Sequence, residues 1–241
     1  MTDWNNNSPY LYPEPEKPPR RPLIVVGGGG HGRVLMDIAR VSPKYRLAAV
    51  LDDRYSKVEL RGGLPYGPIG ELRNFIADEP GMHVVIGIGD NRTRQLVANR
   101  LALPESYYAV LIHPNAVVSH EARIGLGAVV MAGTVIGPGA VVGAHAIVNS
   151  GAVAEHDTVI GPFAHVSPNA TMAGAAVADE GAHIGSGAVV IPGIRVGSWS
   201  VLGAGGVAVR DIAAGITAAG VPARAIRSAL SAADKRRAAE G

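Results

Sequence analysis

Residues 124–148 read IGLGAVVMAGTVIGPGAVVGAHAIV, and within them a large aliphatic residue returns at every sixth position. The same register runs from Ile112 to Leu202, where fourteen of sixteen such positions are large and aliphatic and two are alanine. A helix repeats about every 3.6 residues and an ordinary strand about every two, so neither explains six. A hexad is one short strand plus a corner, with the aliphatic residue inward and glycine easing the bend. The repeat therefore predicts a parallel β-solenoid over residues 112–211.

The composition limits the class of protein. A narrow solenoid interior explains why a chain of 241 residues, 47% hydrophobic, contains only two Phe and two Trp. The absence of cysteine excludes disulfides and thiolate metal sites, and a formal net charge of +2 gives no reason to expect a nucleic-acid partner. No apolar run approaches the roughly 18 residues that span a bilayer, and the first residues lack a signal-peptide pattern. We expect a cytoplasmic protein without membrane insertion.

The chain divides into four segments by pattern. Residues 1–21 are proline-rich and predict a disordered tail. Residues 22–111 alternate strands and helices, which predicts a small, mostly parallel, Rossmann-like α/β domain. Its strands are expected at 23–26, 47–51, 84–88 and 107–112, and its helices at 33–40, 71–77 and 91–101, the last capped by Asn91. After the solenoid, residues 212–241 predict a turn-rich exit and a terminal helix over 225–239.

A glycine-rich turn follows the first strand. Residues 27–32 read GGGGHG, which satisfies G-x-G-x-x-G, and Asp52 lies twenty residues after the last glycine. Bare amides at a helix N-terminus suit a phosphate, and an acidic residue ending the second strand suits a ribose hydroxyl. A domain of this size holds one such unit and has no second half for a nicotinamide, so we interpret the turn as a nucleotide-sugar pocket rather than an NAD site. The alternative is that the glycines serve only a tight turn.

Charged residues are scarce in the repeat, which makes the run Glu155-His156-Asp157 conspicuous. His156 and Asp157 occupy the third and fourth positions of their hexad, so they should face solvent or a neighbouring subunit. A neutral imidazole with a carboxylate partner is a competent general base. The alternative is a merely polar corner of the solenoid.

Two further features concern the outward side of the strands. His165 and His183 lie eighteen residues apart, and if three hexads complete one turn they stack at the strand spacing of about 4.8 Å. No acidic residue recurs in their column, so we expect no metal. Most other sixth positions are Val or Ile. If all of them face outward, they leave an apolar surface that symmetric copies must cover, which predicts an oligomer.

The chain resembles the sialic-acid O-acetyltransferase/bacillosamine N-acetyltransferase family of left-handed β-helix acetyltransferases. The resemblance runs from about residue 23 to 227 and is carried by seven motifs in order: GGGGHG at 27–32, LDD at 51–53, IGIGDN at 86–91, LIHPNA at 111–116, NSGAVAEHDTVIG at 149–161, HVSPNA at 165–170 and GVPAR at 220–224.

The resemblance implies a homotrimer of left-handed solenoids with three hexads per coil, and acetyl-CoA as co-substrate between adjacent subunits. It implies that His156 is the catalytic base and that Asp157, where the best-known N-acetyltransferases have Glu, orients it. The remaining implied residues bind substrates: Gly29, His31, Asp52, Asp53 and Asn149 the nucleotide sugar, and His165, Gly174, Ser186 and Gly205 acetyl-CoA.

The expected activity is acetyl transfer to the amine of a UDP-4-amino-4,6-dideoxy-sugar. Three alternatives remain open at this point. In the first alternative, the acceptor is a sugar hydroxyl, as in sialic-acid O-acetylation. In the second, it is a GDP-linked amino sugar such as perosamine. In the third, the chain is a non-enzymatic trimer that binds sugar nucleotides, since a solenoid alone carries no activity.

Overall fold

The computed structural model describes residues 19–228. Most of the predicted proline-rich tail therefore lies outside the described residues. No helix within residues 19–228 has the length and apolar composition needed to cross a bilayer.

The first domain is a five-stranded sheet with helices packed against it. Its strands run in the spatial order β3-β4-β2-β1-β5, and β1 is parallel to both β2 and β5. The strands are β1 (Arg21–Val26), β2 (Tyr45–Leu51), β3 (Glu59–Arg61), β4 (Leu64–Gly67) and β5 (His83–Ile86). The helices are α1 (Gly30–Val41), α2 (Leu72–Asp78) and α3 (Asn91–Leu101), with short 3₁₀ turns at Ile69–Glu71 and Glu105–Tyr107.

Helix α3 has the predicted bounds, but the predicted cap is wrong. Asp90 caps the helix, because its Oδ1 accepts a hydrogen bond from the Thr93 N–H at 2.8 Å. Asn91 is the first helical residue, and its side chain instead donates to the carbonyl of Gly181 in the second domain at 3.1 Å. The side chain of Asn91 therefore links the two domains instead of capping the helix.

The hexads form the predicted solenoid of two-residue strands. Strands three apart in sequence pair in parallel, so three hexads make one coil. Together they form the left-handed parallel β-helix that the resemblance implies. The strands are β6 (Leu111–Ile112), β7 (Val117–Val118), β8 (Arg123–Ile124), β9 (Val129–Val130), β10 (Val135–Ile136), β11 (Val141–Val142), β12 (Ile147–Val148), β13 (Val153–Ala154), β14 (Val159–Ile160), β15 (His165–Val166), β16 (Thr171–Met172), β17 (Val177–Ala178), β18 (His183–Ile184), β19 (Val189–Val190), β20 (Arg195–Val196), β21 (Val201–Leu202) and β22 (Val207–Ala208).

Three flat faces enclose the dry core. Face 1 begins β6-β9-β12-β15-β18-β21, face 2 is β7-β10-β13-β16-β19-β22, and face 3 is β8-β11-β14-β17-β20. The first residue of each hexad points inward and forms one continuous apolar cluster with the small residues beside it. Residues that fill this thin interior cannot also bind substrate, so chemistry is confined to the corners and outer faces.

The prediction that all outward valines need a second copy was wrong for face 1. The outward residues Val129 and Ile147 are each 1% exposed because the first domain packs over them, in a cluster with Leu35 and Met36 of α1. Val201, farther along face 1, stays half-buried, and faces 2 and 3 keep apolar outward positions open, as at Val117, which is 65% exposed.

The end of the described chain also differs from prediction. Strand β23 (Ile216–Ala219) extends face 1, and β24 (Arg224–Ser228) pairs with it antiparallel. A strand therefore occupies residues 225–228, where the sequence predicted a helix, because the turn at 220–223 sends the chain back along a free sheet edge. Residues 229–239 of that predicted helix lie outside the described residues.

Candidate active site

The glycine turn at 27–32 serves two purposes. A Cβ on Gly32 would overlap the carbonyl oxygen of Gly27. Glycine is therefore required at position 32 for α1 to pack closely against the turn that follows β1. Gly29 and Gly30, by contrast, have open space where a Cβ would lie. Gly29 is the N-cap of α1, and the first turn of that helix has neither a capping side chain nor an acidic residue. Its free N–H groups are therefore available to an anion.

A cavity of about 450 Å³ lies in front of this turn. It is lined by the glycine turn, by His31, by Asp52 and Asp53 at the end of β2, and by the start of α3 with its preceding loop. The cavity lies beyond the carboxyl ends of parallel strands, which is where ligands bind in open α/β sheets. Four of the predicted substrate residues thus line one space: Gly29, His31, Asp52 and Asp53.

Asp52 also holds the turn itself. Its Oδ2 accepts the N–H of Gly28 at 2.8 Å and pairs with the Arg54 guanidinium at 3.0 Å, while Oδ1 accepts the Arg54 N–H at 3.1 Å. Partial burial acts to raise the pKa of Asp52, but these hydrogen bonds and the Arg54 charge outweigh it, so the pKa lies below its ordinary value. Asp52 is a carboxylate at working pH.

Asp53 is the more exposed of the two acids. Its Oδ1 accepts the Ile69 N–H at 3.3 Å, and its Oδ2 pairs with Arg100 of α3. Asp53 therefore ties two walls of the cavity together and presents a carboxylate at its rim.

Asn149 and His165 lie side by side where the first domain meets face 1. Asn149 Oδ1 accepts the Ser150 N–H at 2.8 Å, which turns its Nδ2 toward His165 Nε2 at 3.0 Å. The amide thus donates to Nε2, and a neutral His165 carries its hydrogen on Nδ1. Burial, with His183, Arg94 and His31 nearby, lowers the pKa of His165 to about 3.

The predicted stack of histidines is present. The rings of His165 and His183 lie 5.0 Å apart and nearly parallel, and His183 Nε2 contacts Ser167 Oγ at 2.8 Å. His31 approaches His165 from the cavity side at 6.5 Å between ring centroids, and burial, then Arg94, lowers its pKa to about 4. No group of three or more His, Asp or Glu within residues 19–228 has metal-binding geometry.

His156 lies on a different part of the prism, at the corner between faces 2 and 3. We call residues 155–158 and the turns stacked on them the His156 corner. The His156 side chain is 60% exposed and that of Asp157 68%, and Nδ1 contacts Asp157 Oδ2 at 3.0 Å. The carboxylate therefore keeps the ring hydrogen on Nδ1 and leaves Nε2 with a free lone pair.

The fourth position of each corner from Gly127 to Gly205 adopts a left-handed backbone, which explains the local shape. Most of these positions are glycine, as at Gly139 and Gly193 on the His156 corner, but Asp157 adopts φ 58°. A non-glycine residue there costs roughly 1 kcal/mol, least for Asp and Asn. A Cβ on Gly139 would lie 2.5 Å from Asp157 Oδ1, so that glycine leaves the carboxylate its space.

Gly174 follows in the next coil, directly beneath the imidazole. A Cβ there would overlap the ring at Nε2 of His156. Among residues 19–228, no group accepts the Gly174 N–H, whereas the next N–H, of Ala175, donates to the His156 carbonyl at 2.9 Å. An imidazole with a free lone pair and a free backbone donor thus lie together, an arrangement that can serve acyl transfer.

Ser186 and Gly205 lie on the corner between faces 1 and 2, in successive coils. Both are exposed, and the Gly205 N–H donates to the Ser186 carbonyl at 2.9 Å. Asn149 begins a turn on this same corner, which we call the Asn149 corner. The predicted residues therefore form two groups, one on each side of face 2, and a single chain does not bring His156 next to the cavity.

The sequence did not single out Arg94, which is 1% exposed in α3 and hydrogen-bonded to both domains. A second cavity, of about 630 Å³, lies on the other side of α3 beside Tyr108, His145 and Phe163, away from every predicted site residue.

The comparisons with known proteins agree with this architecture. Residues 22–101 match the family model described as the PglD N-terminal domain. The chain is 47% identical over 115 residues to UDP-N-acetylbacillosamine N-acetyltransferase from Bacillus subtilis (strain 168). That alignment covers 46% of this chain and 51% of the relative, so the chain spans about half the length of this curated relative.

Two solved structures match over most of the chain. One is a histidine-to-alanine mutant of GDP-perosamine N-acetyltransferase from Caulobacter crescentus in complex with CoA and GDP-perosamine, with 35% identity, a TM-score of 0.77 and coverage of 86% of this chain and 97% of that one. The other is the acetyltransferase domain of PglB from Neisseria gonorrhoeae with acetyl coenzyme A, with 37% identity, a TM-score of 0.78 and coverage of 86% and 100%.

Proposed function

The chain belongs to the sialic-acid O-acetyltransferase/bacillosamine N-acetyltransferase family, and from that premise we propose that it transfers the acetyl group of acetyl-CoA to the amine of a nucleotide-linked amino sugar. One observation carries the proposal: His156, paired with Asp157, sits on an exposed corner beside the free N–H of Gly174. The named activities of the relatives above support it. We propose that the reaction takes place in the cytoplasm.

The chemistry needs no covalent acyl-enzyme. The amine nitrogen of the sugar attacks the thioester carbonyl carbon and forms the new C–N bond while Nε2 of His156 takes a proton from that nitrogen. The Gly174 N–H stabilises the oxyanion that develops on the carbonyl oxygen. The tetrahedral intermediate then expels the CoA thiolate, which recovers the proton from the imidazolium. The products are an acetamido sugar and CoA thiol.

We propose that two subunits build each site. His156 and Gly174 lie on one side of face 2 and Asn149 on the other, so the groups meet only when the His156 corner of one copy approaches the Asn149 corner of the next. Face 2 is suited to this contact because its outward residues carry no charge: Val117, Val135, Val153, Thr171, Val189 and Val207. Face 3, in contrast, carries Arg123 and Arg195. Three copies around face 2 would form a homotrimer.

The groove between two such copies suits acetyl-CoA. Gly174 would line it from one subunit, and Ser186 and Gly205 from the neighbour's Asn149 corner. A Cβ on Gly205 or Gly187 would meet open space, so this corner leaves room for an extended pantetheine chain. The nucleotide sugar would reach the same groove from the cavity beside His31 and His165.

Release of CoA thiol tests the function directly. Purified protein is mixed with acetyl-CoA and, in parallel, with UDP- and GDP-linked 4-amino-4,6-dideoxy sugars and with free sialic acid, and thiol is followed with a chromogenic disulfide. We expect thiol release with an amino-sugar nucleotide and a product heavier by one acetyl group. Release only with sialic acid would identify an O-acetyltransferase, and release with none of them would favour a binding scaffold.

Replacing Asp52 with alanine is expected to raise the KM for the nucleotide sugar by about tenfold or more and to leave the KM for acetyl-CoA unchanged. The change removes a carboxylate from the cavity and also frees the Gly28 N–H, which loosens the turn. Steady-state kinetics with each substrate varied in turn measure both constants.

Asp37 offers a matched control, since it is an exposed acid on α1 that lines neither of the two cavities described above. Asp37→Ala should leave both KM values unchanged. Equal increases in both KM values for Asp52→Ala would place the sugar nucleotide elsewhere.

A further inference from the structure

Arg94 is a charged side chain that is buried without a hydrogen-bonded carboxylate among the described residues. It lies on α3 and is 1% exposed, and every hydrogen bond from its guanidinium goes to a carbonyl or amide oxygen within residues 19–228. Burial lowers its pKa to about 10, so it stays charged at neutral pH. A buried cation of this kind is costly unless each N–H has an acceptor.

The acceptors come from three places that must keep a fixed arrangement. Nη1 donates to the carbonyls of Ile88 and Gly89 at 3.0 and 3.1 Å, and these residues line the 450 Å³ cavity. Nε donates to the His145 carbonyl at 2.8 Å, and Nη2 to the Phe163 carbonyl at 2.7 Å, in two successive coils of the solenoid. Nη2 also bonds Asn91 Oδ1 at 2.9 Å within α3. One fork thus joins the cavity wall, the helix and two coils.

The solenoid corner that receives Arg94 has an unusual sequence. At its left-handed fourth positions, where Gly127 and Gly181 occur, it also carries His145, Phe163 and Trp199, with φ of 57°, 55° and 57°. The His145 and Phe163 rings stack at 5.0 Å, and Tyr108 packs edge-on against His145 at 4.5 Å. Bulky residues persist in this conformation only where surrounding contacts hold them. The shape of this corner is therefore stabilised by the packing of α3 against it.

We propose that Arg94 is a positioning residue for the nucleotide sugar: it holds the Ile88–Gly89 loop and the start of α3 at a fixed position against the coils that carry Asn149 and His165. Thr93 and Val97 of the same helix line the cavity, so a shift of α3 moves a whole wall. This role rests on the proposed function, because it assigns the cavity to the nucleotide sugar. It leaves the His156 corner untouched.

The charge of Arg94 supports the same positioning role as its hydrogen bonds, because it acts on the pKa values of the nearby histidines. Burial is the largest cause that lowers the pKa of His31 and of His183, and the charge of Arg94 is the second. At His165, burial lowers the pKa most, followed by His183 and then by Arg94. Asp90 opposes it at His183. The imidazoles beside the cavity therefore stay neutral and keep their hydrogen-bonding pattern at working pH.

The test compares Arg94→Met and Arg94→Lys with the wild type by calorimetric titration with UDP and with GDP, and by steady-state kinetics. We expect affinity for the bound nucleotide to fall, and the KM for the nucleotide sugar to rise, by about tenfold or more. The KM for acetyl-CoA and kcat should stay within about twofold. Lysine should not rescue, because an ammonium cannot reach acceptors that a planar fork spans.

Arg92→Met is the matched control, since Arg92 lies on the same helix, is exposed, and contacts only the Trp199 ring at 4.7 Å among the described aromatic residues. It should bind nucleotide as the wild type does. Unchanged nucleotide affinity in a folded Arg94→Met protein, rescue by lysine, or no binding of either nucleotide by the wild type would overturn the proposal. Because the titration needs no turnover, a wild type that binds nucleotide but transfers no acetyl group would contradict the proposed function alone.

If neither Arg94 variant folds, Asn91→Ala carries the test. It removes the Asn91 contacts to Arg94, Gly181 and Ala182 while keeping the guanidinium. We then expect a smaller loss of nucleotide affinity, about threefold, with acetyl-CoA unaffected. Equal losses for both substrates, or none, would overturn the proposal.

Discussion

Replacing His156 with alanine is expected to lower kcat by about 10²–10⁴-fold, the usual contribution of general-base catalysis. The expected loss is large because the imidazole is the only titratable group on the described part of its corner with a carboxylate oriented against it and a free backbone N–H beside it. The KM values should change little, since His156 lies outside the nucleotide cavity. Steady-state kinetics with thiol detection measure the change, and gel filtration shows whether the assembly persists.

The chain supplies its own control. His120 occupies the same hexad position on the same corner two coils earlier, is also exposed, and precedes an acid, Glu121. It forms no described contact with that acid, and Pro138 rather than glycine follows it one coil on. His120→Ala should retain full activity. Near-normal activity of His156→Ala, or an equal loss in both variants, would remove His156 from the mechanism.

Coexpression of two impaired variants tests whether the site is shared between subunits. His156→Ala alters the His156 corner, and His165→Asn removes the face 1 imidazole that Asn149 contacts. Coexpressed chains can form mixed trimers in which one interface keeps both native residues. Random mixing restores about a quarter of the sites if each site takes one residue from each of two subunits. No recovery would mean that both residues serve a site within one chain.

The periodic part of the molecule was predictable because it is local. The residues of each hexad are enough to predict its strand and its corner. The predicted register from Ile112 to Leu202 is the one found in the three faces. The exposure of His156 and Asp157 followed from the same register. What lay outside prediction was the docking of one domain on the other, because no local pattern encodes it.

Arg94 illustrates the limit. In the stretch NRTRQL, residues 91–96, it looks like an ordinary solvent-facing helix charge, yet it is buried while Leu96 is 66% exposed. The sequence of the solenoid, against which α3 packs, did contain a signal. Aligning the hexads places His145, Phe163 and Trp199 in a column that glycine otherwise favours, and a strained aromatic column on one corner indicates a surface covered by something.

Replacing Gly174 with alanine is expected to lower kcat by about 100-fold, although it adds a single methyl group. The hexad itself accepts alanine at this position, as Ala144 and Ala204 show on other corners. Only the His156 ring makes glycine necessary, because the new Cβ would overlap the imidazole at Nε2 and swing it away from the acceptor. The backbone N–H that we propose to stabilise the oxyanion stays in place. The loss should appear in kcat rather than in either KM.

A double-mutant cycle separates this effect from general damage to the solenoid. If alanine at 174 acts only through the imidazole, then His156→Ala/Gly174→Ala has the kcat of His156→Ala alone, and the two losses are fully non-additive. If alanine disturbs the backbone donor or the coil, the double variant falls below the single one, and Gly174 must then be assigned to the oxyanion rather than to the space that the base occupies. Melting temperatures of the four proteins complete the cycle, because an overlap relieved by removing the ring should restore any stability that Gly174→Ala alone loses.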